Sequence, residues 1–159
     1  MGSTQTTPLV LVHGLWDSPQ LFRRLEARLD GRRPDLWIPH LPHGLGFPSL
    51  EVLAQRLGDG IGERFGPDQP IDLLGFSMGG LIGRTWLQEH GGYGRTRRFF
   101  CLGSPQQGTL AAQLAPRPLL AGIADMKVGS RLLRDLDRHA DLLDGLECHS
   151  LYCPTDITV

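Results

Sequence analysis

The apolar run Ile71-Asp72-Leu73-Leu74 passes without a break into Gly75-Phe76-Ser77-Met78-Gly79-Gly80, and helix-forming sequence follows at once. Few local patterns restrict a fold this tightly. A short apolar run bounded by glycine reads as a strand buried on both faces. A serine with glycine two residues before and two after fits a sharp strand-to-helix turn, where small residues are needed because the backbone approaches its neighbours closely. Gly80 and Gly83 extend the small face, and the helix is expected from Met78 to about His90. The serine hydroxyl then stands at the carboxyl end of a sheet, beside a helix N-terminus whose dipole favours developing negative charge. The structural alternative is an ordinary turn with an N-capping serine.

The remaining chain repeats the alternation of strand and helix. Pro8 to His13 is an apolar run ending at Gly14; Ser18-Pro19 offers a helix start, with Leu21, Phe22, Leu25 and Leu29 at helical spacing and Gly31 as a stop. Leu36 to Pro39 is a second short strand. Ser49 can cap a helix whose stripe is Leu50, Leu53, Ala54, Leu57, Ile61 and Phe65, closed by Gly66-Pro67. Arg97 to Leu102 and Leu146 to Cys153 are the fourth and last strands. Residues 106–129, rich in Ala, Pro, Gly and Gln, read as an excursion from the sheet with one short helix, a candidate small lid; Ser130 then starts another helix. Such alternation implies βαβ units: an α/β fold, a mostly parallel sheet with helices on both faces, in one domain over residues 1–159.

Charge and composition exclude several classes. Sixteen Lys and Arg against 17 Asp and Glu leave a net charge of −1, without the basic excess of a nucleic-acid binder. No basic start or long apolar run supports a signal peptide or an integral membrane segment; Gly2 with Thr6 meets the myristoylation pattern only formally. Cys101, Cys148 and Cys153 are too few for a disulfide framework, and Cys148-His149 with Cys153 has no second pair to complete a metal set, so buried or half-buried strand thiols in a cytoplasmic setting are expected.

A serine hydroxyl at neutral pH needs a base, an orienting carboxylate and an oxyanion hole. One oxyanion donor is expected from the backbone N–H of Met78, the residue after the serine, and the second from Leu15, in the loop after the first strand where Gly14 permits the turn. His13, at the end of that strand, is read as holding the loop.

Val12-His13-Gly14-Leu15-Trp16 followed by Gly75-Phe76-Ser77-Met78-Gly79-Gly80 resembles the α/β-hydrolase superfamily, specifically its lipases and esterases. Gly103-Ser104-Pro105-Gln106-Gln107-Gly108-Thr109 is similar to the lipase segment T-P-H-x-G-T, with Ser104 for Thr and Gln106 for His. Met126 to Leu133 is similar to the M-x-x-G-S-x-x-L run of several lipases. The resemblance implies a Ser-His-Asp hydrolase of carboxylic esters, with a small-molecule or lipid ester as substrate and no metal or organic cofactor. Ser77 is then the nucleophile. Asp156, just past the last strand and followed by Ile157, is similar to the family's acid loop; Asp125 and Asp144 are weaker alternatives.

In the family the histidine follows the acid by a further strand and loop, roughly 20 to 40 residues on, and only Ile157, Thr158 and Val159 follow Asp156. The expectation is therefore a chain cut short after its acid loop, weakly active or inactive as given, with an unpaired sheet edge. His40 and His43 could line a substrate cleft. Acyl transfer on the same serine and a non-catalytic binding module are the other readings.

Overall fold

The computed structural model describes residues 7–33 and 35–152. Five strands, β1 (Leu9–Val12), β2 (Leu36–Trp37), β3 (Ile71–Phe76), β4 (Thr96–Leu102) and β5 (Glu147–Leu151), form one sheet in the order β2-β1-β3-β4-β5. Every neighbouring pair is parallel. The helices are α1 (Arg23–Leu29), α2 (Leu50–Phe65), α3 (Met78–Glu89), α4 (Ala121–Asp125) and α5 (Arg131–Arg138).

Side chains alternate across the strands, so β1 serves two cores. Leu9 and Leu11 pack with Phe22, Leu25 and Leu29 of the α1 layer and with Leu74 and Phe76. Val10 and Val12 point the other way, into the larger core of α2, α3 and α5. Helix α2 buries the expected stripe Leu50, Leu53, Ala54, Leu57 and Ile61. Ser49 caps it, accepting from the N–H of Val52 at 3.3 Å, and Gly66 at φ 77° ends it. Truncating a fully buried leucine such as Leu57 to alanine should cost about 3 kcal/mol. Ser130 caps α5 in the same way, and its hydroxyl donates to the Asp125 carbonyl at 2.7 Å.

Three local expectations are amended. The stretch after Ser18 opens as a 3₁₀ turn, Pro19–Phe22, before α1; the Ser18 hydroxyl bonds Gln20 and caps nothing. Strand β2 is only two residues long. Cys101 is buried, and burial pushes its thiol up to about 12, whereas Cys148 is exposed. Strand β5 is exposed along its whole length and pairs, among the described residues, with β4 alone. Cys153 lies outside the described residues.

The chain runs from β1 outward to β2, then returns across β1 to β3 and proceeds the other way. The carboxyl ends of β1 and β3 are therefore adjacent where the connections diverge, the switch point at which open parallel sheets form a crevice. The loops carrying Leu15 and Ser77 both leave the sheet there.

Candidate active site

Ser77 sits between β3 and α3 with φ 51° and ψ −125°. Positive φ is uncommon outside glycine, and such an outlier persists only where the surroundings over-determine it. The neighbours do so here. The Ser77 N–H donates to the Leu102 carbonyl at 2.8 Å, and its own carbonyl accepts from the Gly80 N–H at 3.0 Å. A Cβ on Gly75 would stand 2.4 Å from Gly80 Cα, and one on Gly79 would stand 2.2 Å from the Val12 carbonyl oxygen. Both contacts are with backbone, which cannot move aside, so the glycine spacing follows from the packing of α3 onto β1. The Ser77 side chain makes no capping bond to α3 and is partly exposed.

The second loop lies against the first. A Cβ on Gly14 would meet both Ser77 Cβ and an Asp17 carboxylate oxygen at 3.0 Å. The next two residues are Leu15, half-buried, and Trp16, whose φ of 61° is the other positive value among described non-glycine residues. The two backbone outliers thus fall on the two loops that meet at the switch point. Met78 opens α3, so its N–H has no carbonyl one turn back. Among the described residues, neither that N–H nor the one of Leu15 has a hydrogen-bond partner.

His13 is almost wholly buried, and its ring braces the loop as expected. Nδ1 faces the Gly14 carbonyl at 3.1 Å, while Nε2 accepts from the Leu41 N–H at 3.3 Å. That pair of partners fixes the neutral Nδ1–H tautomer. Burial, the largest cause, holds the imidazole below its usual value, and the nearby His43 and His40 add to this. His43, also buried, meets the His13 ring edge-on at 5.6 Å and faces the Asp17 carbonyl through Nε2 at 3.4 Å. His40 stacks on His13 at 6.1 Å. The loop after β2 is thereby tied to the loop carrying Leu15.

Behind the serine, Ser104 and Gln106 hold the loop after β4. Gln106 Nε2 donates to Ser104 Oγ at 2.9 Å and to Cys101 Sγ at 3.3 Å, while its carbonyl and side-chain oxygens face Arg84 Nη1 of α3 at 3.4 Å. Arg84 also pairs with Asp137 at 2.9 Å. Gln106, where the resembling segment has His, therefore serves as a cross-tie between loop and helix.

The carboxylates divide. Asp156 lies outside the described residues. Asp125 is buried, accepts from the Leu50 N–H at 3.0 Å and pairs with Arg117 at 3.4 Å, anchoring the excursion on the start of α2. Burial raises its carboxyl above the ordinary range. Asp144 is exposed in the turn before β5. Asp17, which sequence reading passed over, brings its carboxylate against Gly14, on the loop that meets Ser77; its placement follows from the turn at Gly14, for which an acid three residues on is no signal. His139 bonds Glu89 and His149 bonds Glu147, both on the surface. No group of three or more His, Cys, Asp or Glu among the described residues is arranged to hold a metal ion. No described helix is long and apolar enough to cross a membrane.

The fold has its counterpart in known proteins. The family model described as the alpha/beta hydrolase family matches residues 9–153. The lysosomal thioesterase PPT2 of Bos taurus is 32% identical over 109 residues, covering 64% of this chain and 34% of the relative. The chain thus spans about a third of that curated relative's length. Among solved structures, the mature lipase BlEst2 of Bacillus licheniformis aligns with a TM-score of 0.70 at 20% identity, covering 94% of this chain and 66% of that one. Aspergillus fumigatus lipase B aligns with a TM-score of 0.74 at 16% identity, covering 99% and 39%. Phospholipase PlaB of Legionella pneumophila gives 0.68 at 16%, covering 92% and 39%. At these identities the structures speak for the fold.

Proposed function

The chain belongs to the alpha/beta hydrolase family, and within it we propose a serine hydrolase that cleaves carboxylic esters through an acyl-enzyme on Ser77. One observation carries this reading. A serine held at φ 51° stands against Gly14, and the backbone N–H groups of the residues that follow these two, Met78 and Leu15, bond no described residue. Ser77 Oγ attacks the ester carbonyl carbon and gives up its proton to a general-base histidine. The carbonyl oxygen, now anionic, is stabilised by the Leu15 and Met78 amides. The alcohol leaves with the proton returned by that histidine, and water repeats the sequence to release the acid. Asp156 orients the histidine, a role that none of the described histidines is assigned. The substrate is a small-molecule or lipid ester, residues 1–159 belong to a single α/β-hydrolase domain whose histidine loop they do not include, and the setting is the cytoplasm.

Thioesters form a second reading, favoured by the identity to a protein described as a thioesterase. Acyl transfer to an alcohol would use the same serine and amides. The test is p-nitrophenyl ester and acyl-thioester hydrolysis by the full gene product, with a competing alcohol present and intact mass recorded during turnover. An acyl adduct on wild type and none on Ser77→Ala is the expected result. Hydrolysis persisting in Ser77→Ala contradicts the reading.

A further inference from the structure

At the end of α3 remote from Ser77 lies a second, polar crevice of about 350 Å³. Gln55, Gly58 and Asp59 of α2 form one wall, and Trp86, His90 and Arg95 the other. Met78 opens α3 and His90 follows its last residue, so the two ends stand roughly 18 Å apart along the helix. The volume falls at the low end of the range for small-molecule sites.

Polar groups in this crevice lack partners. Trp86 is 3% exposed, yet its indole N–H bonds no described residue, although a buried indole N–H ordinarily finds an acceptor. A Cβ on Gly58 would stand 2.5 Å from that nitrogen, so the bare glycine is what leaves it open to the crevice. His90 Nε2 is one of three buried side-chain polar atoms without a hydrogen bond among the described residues. The other two, Asp72 Oδ1 and Asp125 Oδ1, have Arg97 at 4.0 Å and Arg117 at 3.4 Å; His90 has no such counterpart.

Two opposite charges line the crevice without meeting. The half-buried Arg95 donates through Nε and Nη2 to the Gln69 carbonyl, at 3.2 and 3.0 Å, while Nη1 bonds no described residue. Neither Arg95 nor Asp59 forms an ion pair among the described residues, and Asp68, which acts on Arg95 from nearby, lies beyond that reach. The carbonyls that end α3 add partial negative charge on the His90 side. A lone anion would meet Asp59 and those carbonyls. A lone cation would leave Arg95 and the indole N–H unanswered. A ligand that joins a carboxylate to an ammonium answers both.

We propose that this crevice binds a free α-amino acid as its zwitterion, with the carboxylate toward Arg95 and the Trp86 indole N–H and the ammonium toward Asp59. Binding here is independent of whether Ser77 is a nucleophile. The test follows the indole N–H signals of the ¹⁵N-labelled full gene product by NMR. Trp16→Phe and Trp37→Phe identify two of the signals, and Trp86 is assigned by elimination. The protein is titrated with L-alanine, with L-alaninamide, which keeps only the positive charge, and with propionate, which keeps only the negative one. L-Alanine should shift the Trp86 signal saturably, and each analogue should bind at least about tenfold more weakly. Arg95→Gln and Asp59→Asn should each weaken L-alanine by about tenfold or more. Arg131→Gln, on α5, should leave its binding unchanged, and circular dichroism should show every variant folded. Absence of a shift with L-alanine, or a shift insensitive to Arg95→Gln and Asp59→Asn, overturns the proposal. So does propionate or L-alaninamide binding as tightly as L-alanine, since the crevice then reads a single charge.

Discussion

Gly14 and Ser77 touch: any side chain at position 14 would place its first carbon 3.0 Å from the Cβ of the serine. This contact joins the loop after β1 to the turn after β3, and it is where substitution separates fold from chemistry. The added methyl of Gly14→Ala also meets the Asp17 carboxylate and the Phe76 carbonyl, at 3.0 and 3.3 Å. We expect a stability loss of about 1–3 kcal/mol from overpacking, with a folded protein whose Ser77 reacts far more slowly. Urea unfolding and the rate of active-site labelling measure the two effects separately.

Asp72 is a buried carboxylate near the start of β3, paired with Arg33 at 2.9 Å and, at 4.0 Å, with Arg97. Removing one partner of a buried pair costs roughly 3–5 kcal/mol. Arg33 is partly exposed and Arg97 remains nearby, so Arg33→Ala should cost about 2 kcal/mol. Replacing both, with Arg33→Leu and Asp72→Val, should recover most of that loss in chemical denaturation.

His13 is held below its usual value of 6.5 chiefly by burial, so the folded protein binds fewer protons than the unfolded chain just below that pH. Its contribution is in place above pH 6.5 and is lost as pH falls from there toward the folded value. Protonation also removes the acceptor that takes the Leu41 N–H. We expect unfolding free energy to drop on acidification through this interval. His13→Gln, which keeps an acceptor without titrating, should flatten the slope.

Asp125 has the opposite sign. Burial raises its carboxyl above 3.8, offset in part by the Leu50 N–H and Arg117, so the folded state favours the protonated form. Its contribution is full below about pH 3.8 and is lost as pH rises through the folded value. Asp125→Asn keeps an acceptor for the Leu50 N–H and should remove that loss. The difference between variant and wild-type unfolding free energies should grow in the variant's favour as pH rises through this window.

What the sequence disclosed followed from periodicity and local turn chemistry. The stripe Leu50, Leu53, Ala54, Leu57 and Ile61 is the buried face of α2, and the capping residues Ser49 and Ser130 do cap. The strand-turn-helix around Ser77 was legible because backbone crowding dictates its glycines. What stayed hidden depends on partners distant in sequence. An aspartate in an apolar strand signals some buried pair, yet nothing local identifies Arg33, 39 residues away, as the partner of Asp72. Trp16 carries no sequence mark of its left-handed backbone, since a bulky residue is disfavoured there. Ser18-Pro19 suggested a capped α-helix, whereas Pro19–Phe22 is a 3₁₀ turn and the Ser18 hydroxyl bonds the Gln20 side chain instead of a backbone N–H.

The most direct test of the account is covalent. The full gene product is treated with a fluorophosphonate, digested, and mapped by mass spectrometry, beside Ser77→Ala shown to be folded. The account predicts one phosphonyl adduct, on the peptide containing Ser77, and none in the variant. An unlabelled, folded wild type, or an adduct that survives Ser77→Ala, would contradict it.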